Sequence, residues 1–206
     1  MIKAVLWDFG GVILTSPFEA FARYESERGL PDGFLRLVNA TNPDANAWAR
    51  LERSELSGAE FDAEFARESA SLGHEVPGRD VLAVLLGEVR PEMVAALDAV
   101  RGAGLATACL TNNVTGEFGR PEIDEVMRRF DVVVESSKIG VRKSESRFYE
   151  IACELLSVEP AECVFLDDLG INLKPAKAMG MTTIKVGDPA IAIAELSAVL
   201  GLDLAA

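Results

Sequence analysis

Asp8 closes an apolar run, Ile2 to Trp7, and is followed by Gly10 and Gly11. Thr111 and Asn112 close a second run, Leu105 to Leu110, and Asp167 with Asp168 closes a third, Val164 to Leu166. Short apolar runs rich in β-branched residues and bounded by turn formers read as buried strands of a parallel sheet. Ligands of such sheets gather beyond the carboxyl ends of the strands. Two acidic strand ends facing one crevice repel each other, a hard divalent cation relieves that repulsion, and Mg²⁺ prefers oxygen ligands. Lys143, just before a helical pattern, adds a point charge suited to a phosphate. The expected chemistry is Mg²⁺-dependent phosphate handling centred on Asp8.

The elements that must position these groups alternate along the chain. Val132 to Val134 and Thr182 to Val186 supply two more strands. Met93, Val94, Leu97 and Val100 share a helix face after Pro91, with Gly102 expected to close that helix. Ile123, Val126, Met127 and Phe130 repeat the spacing, as do Phe148, Ile151, Ala152 and Leu155 after Ser144, which is expected to cap that helix. Asp188 and Pro189 open a last helix that Gly201 terminates. Alternating strands and helices imply right-handed βαβ units, hence an α/β, Rossmann-like three-layer core. Residues 17–87 break the rhythm with helical periods and no strand. Ser16 and Pro17 start one helix there, and Ser57 with Glu60 forms a capping box for another. The expected division is a core of residues 1–16 and 88–206 with an inserted helical cap at 17–87.

Composition narrows the partners. The 206 residues include 20 basic and 33 acidic side chains, a formal net charge of −13. Such a surface repels polyphosphate backbones and anionic lipid heads, so neither nucleic acid nor membrane is an expected partner. Three cysteines in apolar stretches fit reduced thiols and a cytoplasmic chain. No run approaches membrane-spanning length. Nothing in the sequence assigns an oligomeric state.

LWDFGGV, LTN, GVRK and VFLDDLGIN, in this order at these strand ends, resemble the four motifs of the haloacid dehalogenase superfamily. VFLDDLGINLKPAKAMGMTTIKV is especially similar to the phosphatase domain of soluble epoxide hydrolases and to related bacterial sugar-phosphate phosphatases. The resemblance implies that Asp8 is a nucleophile forming an aspartyl-phosphate, and that Thr111 and Asn112 bind the phosphoryl oxygens. It implies that Lys143 balances charge between Asp8 and the phosphate. It further implies that Asp8, the Gly10 carbonyl and Asp168 hold Mg²⁺. Asp167 would act on the metal through water or orient Lys143, with Asn172 in support. The substrate so implied is a small phosphorylated metabolite.

The sequence departs from that pattern at Gly10, where related phosphatases carry an aspartate that protonates the leaving group and then activates water. General acid–base catalysis contributes roughly 10² to 10⁴ in rate, so this departure favours, as the alternative, a catalytically impaired phospho-ligand binder. A 2-haloacid dehalogenase is a minor alternative, opposed by the Asp167–Asp168 pair, which metal-independent dehalogenases usually lack. Ser144 stands where the family commonly has proline. His74, the sole histidine, reads as a loop residue, and Trp48, Phe61 and Phe65 as the core of the helical segment.

Overall fold

The computed structural model describes residues 1–85, 87–113 and 120–204. Leu86, within the segment expected to form the cap, lies outside the described residues. Five strands, β1 (Ala4–Asp8), β2 (Ala106–Thr111), β3 (Val132–Glu135), β4 (Cys163–Asp167) and β5 (Thr182–Lys185), form one parallel sheet in the order β3-β2-β1-β4-β5. The chain therefore fills one side of β1 before crossing to the other, which opens a crevice at the carboxyl end of β1. Registers bring the expected residues together there. Trp7 pairs with Leu166, so Asp8 and Asp167 end side by side, and Asp8 pairs with Leu110, one residue before Thr111.

The pleat divides the core into two layers because successive side chains point to opposite faces. Val5, Trp7, Cys109, Val164 and Leu166 face one way, toward Met93, Leu97, Ile123, Val126 and Leu196. These last come from helices that cover one side of the sheet between strands. Ala4, Leu6, Leu110, Cys163 and Phe165 face the other way, toward Phe148, Tyr149, Ala152, Leu173 and Ala176. By the same alternation Asp8 and Asp167 extend on this second face.

The helical segment carries α1 (Pro17–Arg28), α2 (Phe34–Ala40), α3 (Ala47–Glu52), α4 (Gly58–Ser71) and α5 (Gly78–Ala83). Its hydrophobic cluster includes Phe21, Phe34, Leu35, Phe61, Phe65 and Val81 and is drawn from the segment alone. The capping box expected at Ser57 forms, with the Glu60 N–H donating to Ser57 Oγ and the Ser57 N–H to Glu60 Oε2. Ser16 accepts from the Phe18 N–H at the start of α1. The segment's two ends are clasped: the Thr15 N–H donates to Glu88 O at 2.8 Å and the Arg90 N–H to Ile13 O at 2.9 Å. Gly87 permits this approach, since a Cβ there would lie 2.5 Å from Thr15 O.

After the clasp the chain forms α6 (Pro91–Gly102), α7 (Pro121–Met127), α8 (Ser136–Ile139), α9 (Ser146–Leu156), α10 (Gly170–Ala178) and α11 (Pro189–Leu200). Two expected helix ends differ. Gly102 lies inside α6, and the left-handed residue that turns the chain is Gly104, at φ +80°. Ser144 does not cap α9: Glu145 precedes the helix, while Ser144 sits at φ +89° and donates its N–H to Tyr149 Oη. Proline is confined to φ near −65° and has no N–H, so the backbone at 144 excludes it. Asp188 and Gly201 bound α11 as expected, with Asp188 Oδ1 accepting from the Ile191 N–H.

Because Phe65 is fully buried in the segment's own cluster, Phe65→Ala is expected to cost about 3–5 kcal/mol. Denaturant unfolding checks this, and a loss under about 1 kcal/mol would show that the cluster collapses around the void.

Candidate active site

Asp8, Thr111 and Asp167 are the last residues of β1, β2 and β4, and Asp168 follows directly. The loop before α9 delivers Lys143 to the face on which Asp8 and Asp167 extend. Its ammonium pairs with Asp8 Oδ1 and lies 3.1 Å from Asp167 Oδ2. All three are shielded, with relative exposures of 5% for Asp8, 3% for Lys143 and 0% for Asp167. Burial alone would lower the lysine pKa, but Asp167 and Asp8 outweigh it and hold the ammonium well above its ordinary range. Burial and then Asp167 raise the Asp8 carboxyl well above normal, against the opposing pull of Lys143. Burial and Asp167 also push Asp168 up to about 6.

Asp8, Asp167 and Asp168 each offer a carboxylate oxygen within 4.8 Å of the others, an all-oxygen set suited to a hard cation. Their occupancy by donors separates them. Asp167 accepts from Lys143 Nζ, from Asn172 Nδ2 at 3.1 Å to each oxygen, and from the Leu169 N–H at 2.8 Å. Asp8 and Asp168 line the adjacent cavity, and Asp167 is not among its lining residues. The arrangement thus presents Asp8 and Asp168 to a ligand and turns Asp167 toward Lys143. Gly10 also lines the cavity. Nothing lies within 4 Å of a Cβ built on it, so a side chain would have room.

Thr111 and Asn112 line the same cavity. Asn112 has a further job, because its Oδ1 accepts from the Lys143 N–H at 2.7 Å and so ties the end of β2 to the lysine loop. The supports behind these groups carry no motif signal. Asn113, buried, donates through Nδ2 to Glu135 Oε1 at 2.9 Å and through its backbone N–H to Ser136 Oγ at 3.0 Å, fixing the β2 end against β3. Tyr149 Oη donates to Asn172 O at 2.7 Å, joining α9 to α10 behind the lysine. Arg90 Nη1 donates to Gly11 O at 3.0 Å. Only the amphipathic setting of Tyr149, on the apolar face of α9, could have hinted at its role.

The cavity holds about 370 Å³, within the size range of small-ligand sites, and extends from Asp8 to the helical segment. Trp48, expected in the segment's core, also lines this cavity and donates Nε1 to Glu52 Oε1 at 2.8 Å. Phe61 and Phe65 are fully buried core residues, as expected. Arg142 also lines the cavity and is anchored there: its Nε meets Glu52 Oε2 at 2.5 Å and its Nη1 donates to Pro43 O at 2.8 Å. His74 packs edge-on against Phe34 at 5.2 Å and is not among the cavity's lining residues.

Residues 2–180 match the family described as haloacid dehalogenase-like hydrolase, and the chain belongs to that family. Acyl-CoA dehydrogenase family member 10 of Mus musculus is 35% identical over 207 residues, which cover 98% of this chain and 19% of that protein. Bifunctional epoxide hydrolase 2 of Mus musculus is 30% identical over 217 residues, 97% of this chain and 39% of that protein. The chain therefore spans about a fifth and about two fifths of these relatives. The sesquiterpene phosphatase astK of Aspergillus oryzae is 27% identical over 97% of both chains. A haloacid dehalogenase family enzyme of Bacteroides thetaiotaomicron, solved with magnesium and inorganic phosphate, shares the fold: the TM-score is 0.61 at 21% identity, over 91% of this chain and 96% of that one.

Removing one partner of a buried ion pair leaves an uncompensated charge, so Lys143→Met is expected to cost about 3–5 kcal/mol at neutral pH. Adding Asp8→Asn should recover part of that loss, because one stranded carboxylate disappears. Denaturant unfolding of the two single variants and the double variant checks the coupling; strictly additive losses would show that the ammonium and Asp8 act independently.

Proposed function

We propose that this chain is a Mg²⁺-dependent phosphomonoesterase that acts on a small phosphorylated metabolite through an aspartyl-phosphate at Asp8. The observation that carries the reading is the placement of Asp8, paired with Lys143 and beside Asp168, on the wall of a cavity of about 370 Å³. Asp8 attacks phosphorus in line, the bond to the leaving oxygen breaks, and that oxygen takes its proton from solvent. Water then cleaves the acyl phosphate, releasing inorganic phosphate and restoring the carboxylate. Lys143 offsets the charge of Asp8 and of the phosphoryl group, while Thr111 Oγ1 and Asn112 Nδ2 donate to phosphoryl oxygens. Asp167 and Asn172 hold Lys143 in place. Asp8, the Gly10 carbonyl and Asp168 are the groups that would hold Mg²⁺, which when bound supplies positive charge between the carboxylates and the phosphate.

Residues 17–87 serve in this reading as a helical cap over a core of residues 1–16 and 88–206, shaping the leaving-group pocket and excluding water. The relative astK, a sesquiterpene phosphatase that matches this chain over nearly its whole length, supports phosphate over halide as the leaving chemistry. Cys109, Cys153 and Cys163 are free and buried, which supports a reducing, cytoplasmic setting. Among the described residues no helix is long and apolar enough to cross a membrane.

A second reading rests on Gly10. Without a carboxylate there, phosphate and metal binding persist while leaving-group protonation and water activation weaken, and the chain acts as a phospho-ligand binder with slow turnover. One set of assays separates the readings. A panel of phosphate esters is expected to turn over with Mg²⁺, to stop with chelator, and to stop in a folded Asp8→Asn variant. Turnover unaffected by chelator or by Asp8→Asn would reject the first reading, and metal-dependent binding without turnover would establish the second. Gly10→Asp, for which the structure leaves space, is expected to raise kcat by up to about 10²-fold.

A further inference from the structure

We infer that Arg90 is a positioning residue for the metal site: by gripping the Gly11 carbonyl it fixes the Gly10–Gly11 turn against Asp168, and so sets the affinity of the acidic cluster for Mg²⁺ without being a ligand. The inference rests on the proposed Mg²⁺ site and on nothing else in the phosphatase reading.

Arg90 is half-buried, and its guanidinium makes one hydrogen bond among the described residues, from Nη1 to Gly11 O at 3.0 Å. In a chain with 33 acidic side chains it forms no ion pair among the described residues. A guanidinium is built to fork onto carboxylates, yet this one is committed to a backbone carbonyl. Arg90 is not among the residues that line the cavity, so its role is not contact with a substrate.

The turn it grips has little else to hold it. Two adjacent glycines have no side chains to restrain them, and glycine loses more backbone freedom on ordering than any other residue. At φ +85° the Gly11 backbone lies so close to Asp168 that a Cβ would stand 2.4 Å from Oδ2. A small rotation of this turn therefore changes both where the Gly10 carbonyl points and how much room Asp168 has. The base of the brace is itself fixed. The Arg90 N–H donates to Ile13 O at 2.9 Å, and Pro91, with its locked φ, follows at the start of α6. One residue thus closes the clasp of the helical segment and steadies the turn beside the carboxylates.

The charge of Arg90 would act in the opposite sense. Burial and Asp167 raise the Asp168 carboxyl, and Lys143 and Arg90 pull it back down, so the guanidinium is felt at the cluster. A neighbouring cation repels an incoming one. If Arg90 acted through its field alone, removing it would tighten Mg²⁺ binding; if it acts as a brace, removing it loosens binding. The sign separates the two.

The test titrates Mg²⁺ alone into the metal-free full chain and reads its affinity by calorimetry. Arg90→Met, which keeps length but loses donor and charge, is expected to weaken binding about tenfold. Arg90→Gln keeps a donor without the charge and should recover part of that loss, and Arg90→Lys, which keeps both, should recover more. Thermal unfolding without metal checks that each variant is folded. Unchanged or tighter binding in Arg90→Met, or equal affinities in Arg90→Met and Arg90→Gln, would overturn the inference. Should Arg90→Met not fold, Arg90→Gln decides alone, because loss of charge predicts tighter binding and loss of the guanidinium grip weaker binding. Mg²⁺ binding that ignores Arg90, together with phosphate-ester turnover, would remove the inference and leave the phosphatase reading standing. Arg90-dependent Mg²⁺ binding without turnover would do the reverse, and a wild-type chain that binds no Mg²⁺ would overturn both.

Discussion

The buried ammonium of Lys143, held between Asp8 and Asp167, is the interaction on which the site depends. Three carboxylates, those of Asp8, Asp167 and Asp168, surround one ammonium, so the cluster keeps a negative excess after internal pairing. Water is largely excluded, which strengthens both attraction and repulsion. The lysine therefore holds its proton firmly, while Asp8 and Asp168 resist ionisation as long as no further cation is present. Such a cluster is a poor device for stability alone, because well-packed hydrophobic groups would serve better. A divalent cation among these carboxylates would relieve that electrostatic strain.

Most of this arrangement was legible because buried parallel strands must be apolar on both faces and must stop where the chain turns polar. Each of the five strands appeared as such a run, displaced by at most two residues at an end, and the registers then force Asp8 and Asp167 together. Caps with local side-chain chemistry, at Ser16, Ser57 and Asp188, were equally readable. What escaped was everything that depends on tertiary approach. The Asn113, Ser136 and Glu135 lattice joins residues more than twenty positions apart, and Tyr149 reaches Asn172 across two helices. Ser144 escaped for another reason. A serine before a helix is ordinarily a cap, and only the left-handed backbone and the bond to Tyr149 show that it is a turn.

The two adjacent glycines illustrate how identical residues can be present for unlike reasons. Gly11, at φ +85°, adopts a conformation costly for other residues, and a Cβ there would stand 2.4 Å from Asp168 Oδ2. It is required by the approach of β1's loop to the second acidic strand end. Gly10 has neither constraint, since open space surrounds its missing Cβ. Sterics thus explain one glycine and not the other. The fold would accept a side chain at position 10.

The helical segment is tied to the lysine by more than its two chain ends. Arg142, next to Lys143 in sequence, is anchored by Glu52 and by the carbonyl of Pro43, and Glu52 in turn accepts from Trp48 on the cavity wall. Both charged side chains are largely shielded from water, so parting them would strand opposite charges in a poorly solvated place. On the other side, the Lys143 N–H is held by Asn112 at the end of β2. The lysine loop is therefore gripped from the sheet and from the segment at neighbouring residues. A displacement of α3 that moved Trp48 would pull on the backbone that aims the ammonium at Asp8. The cavity wall on the helical segment and the acidic cluster at the strand ends are in this way mechanically one unit, although the hydrophobic clusters behind them are separate.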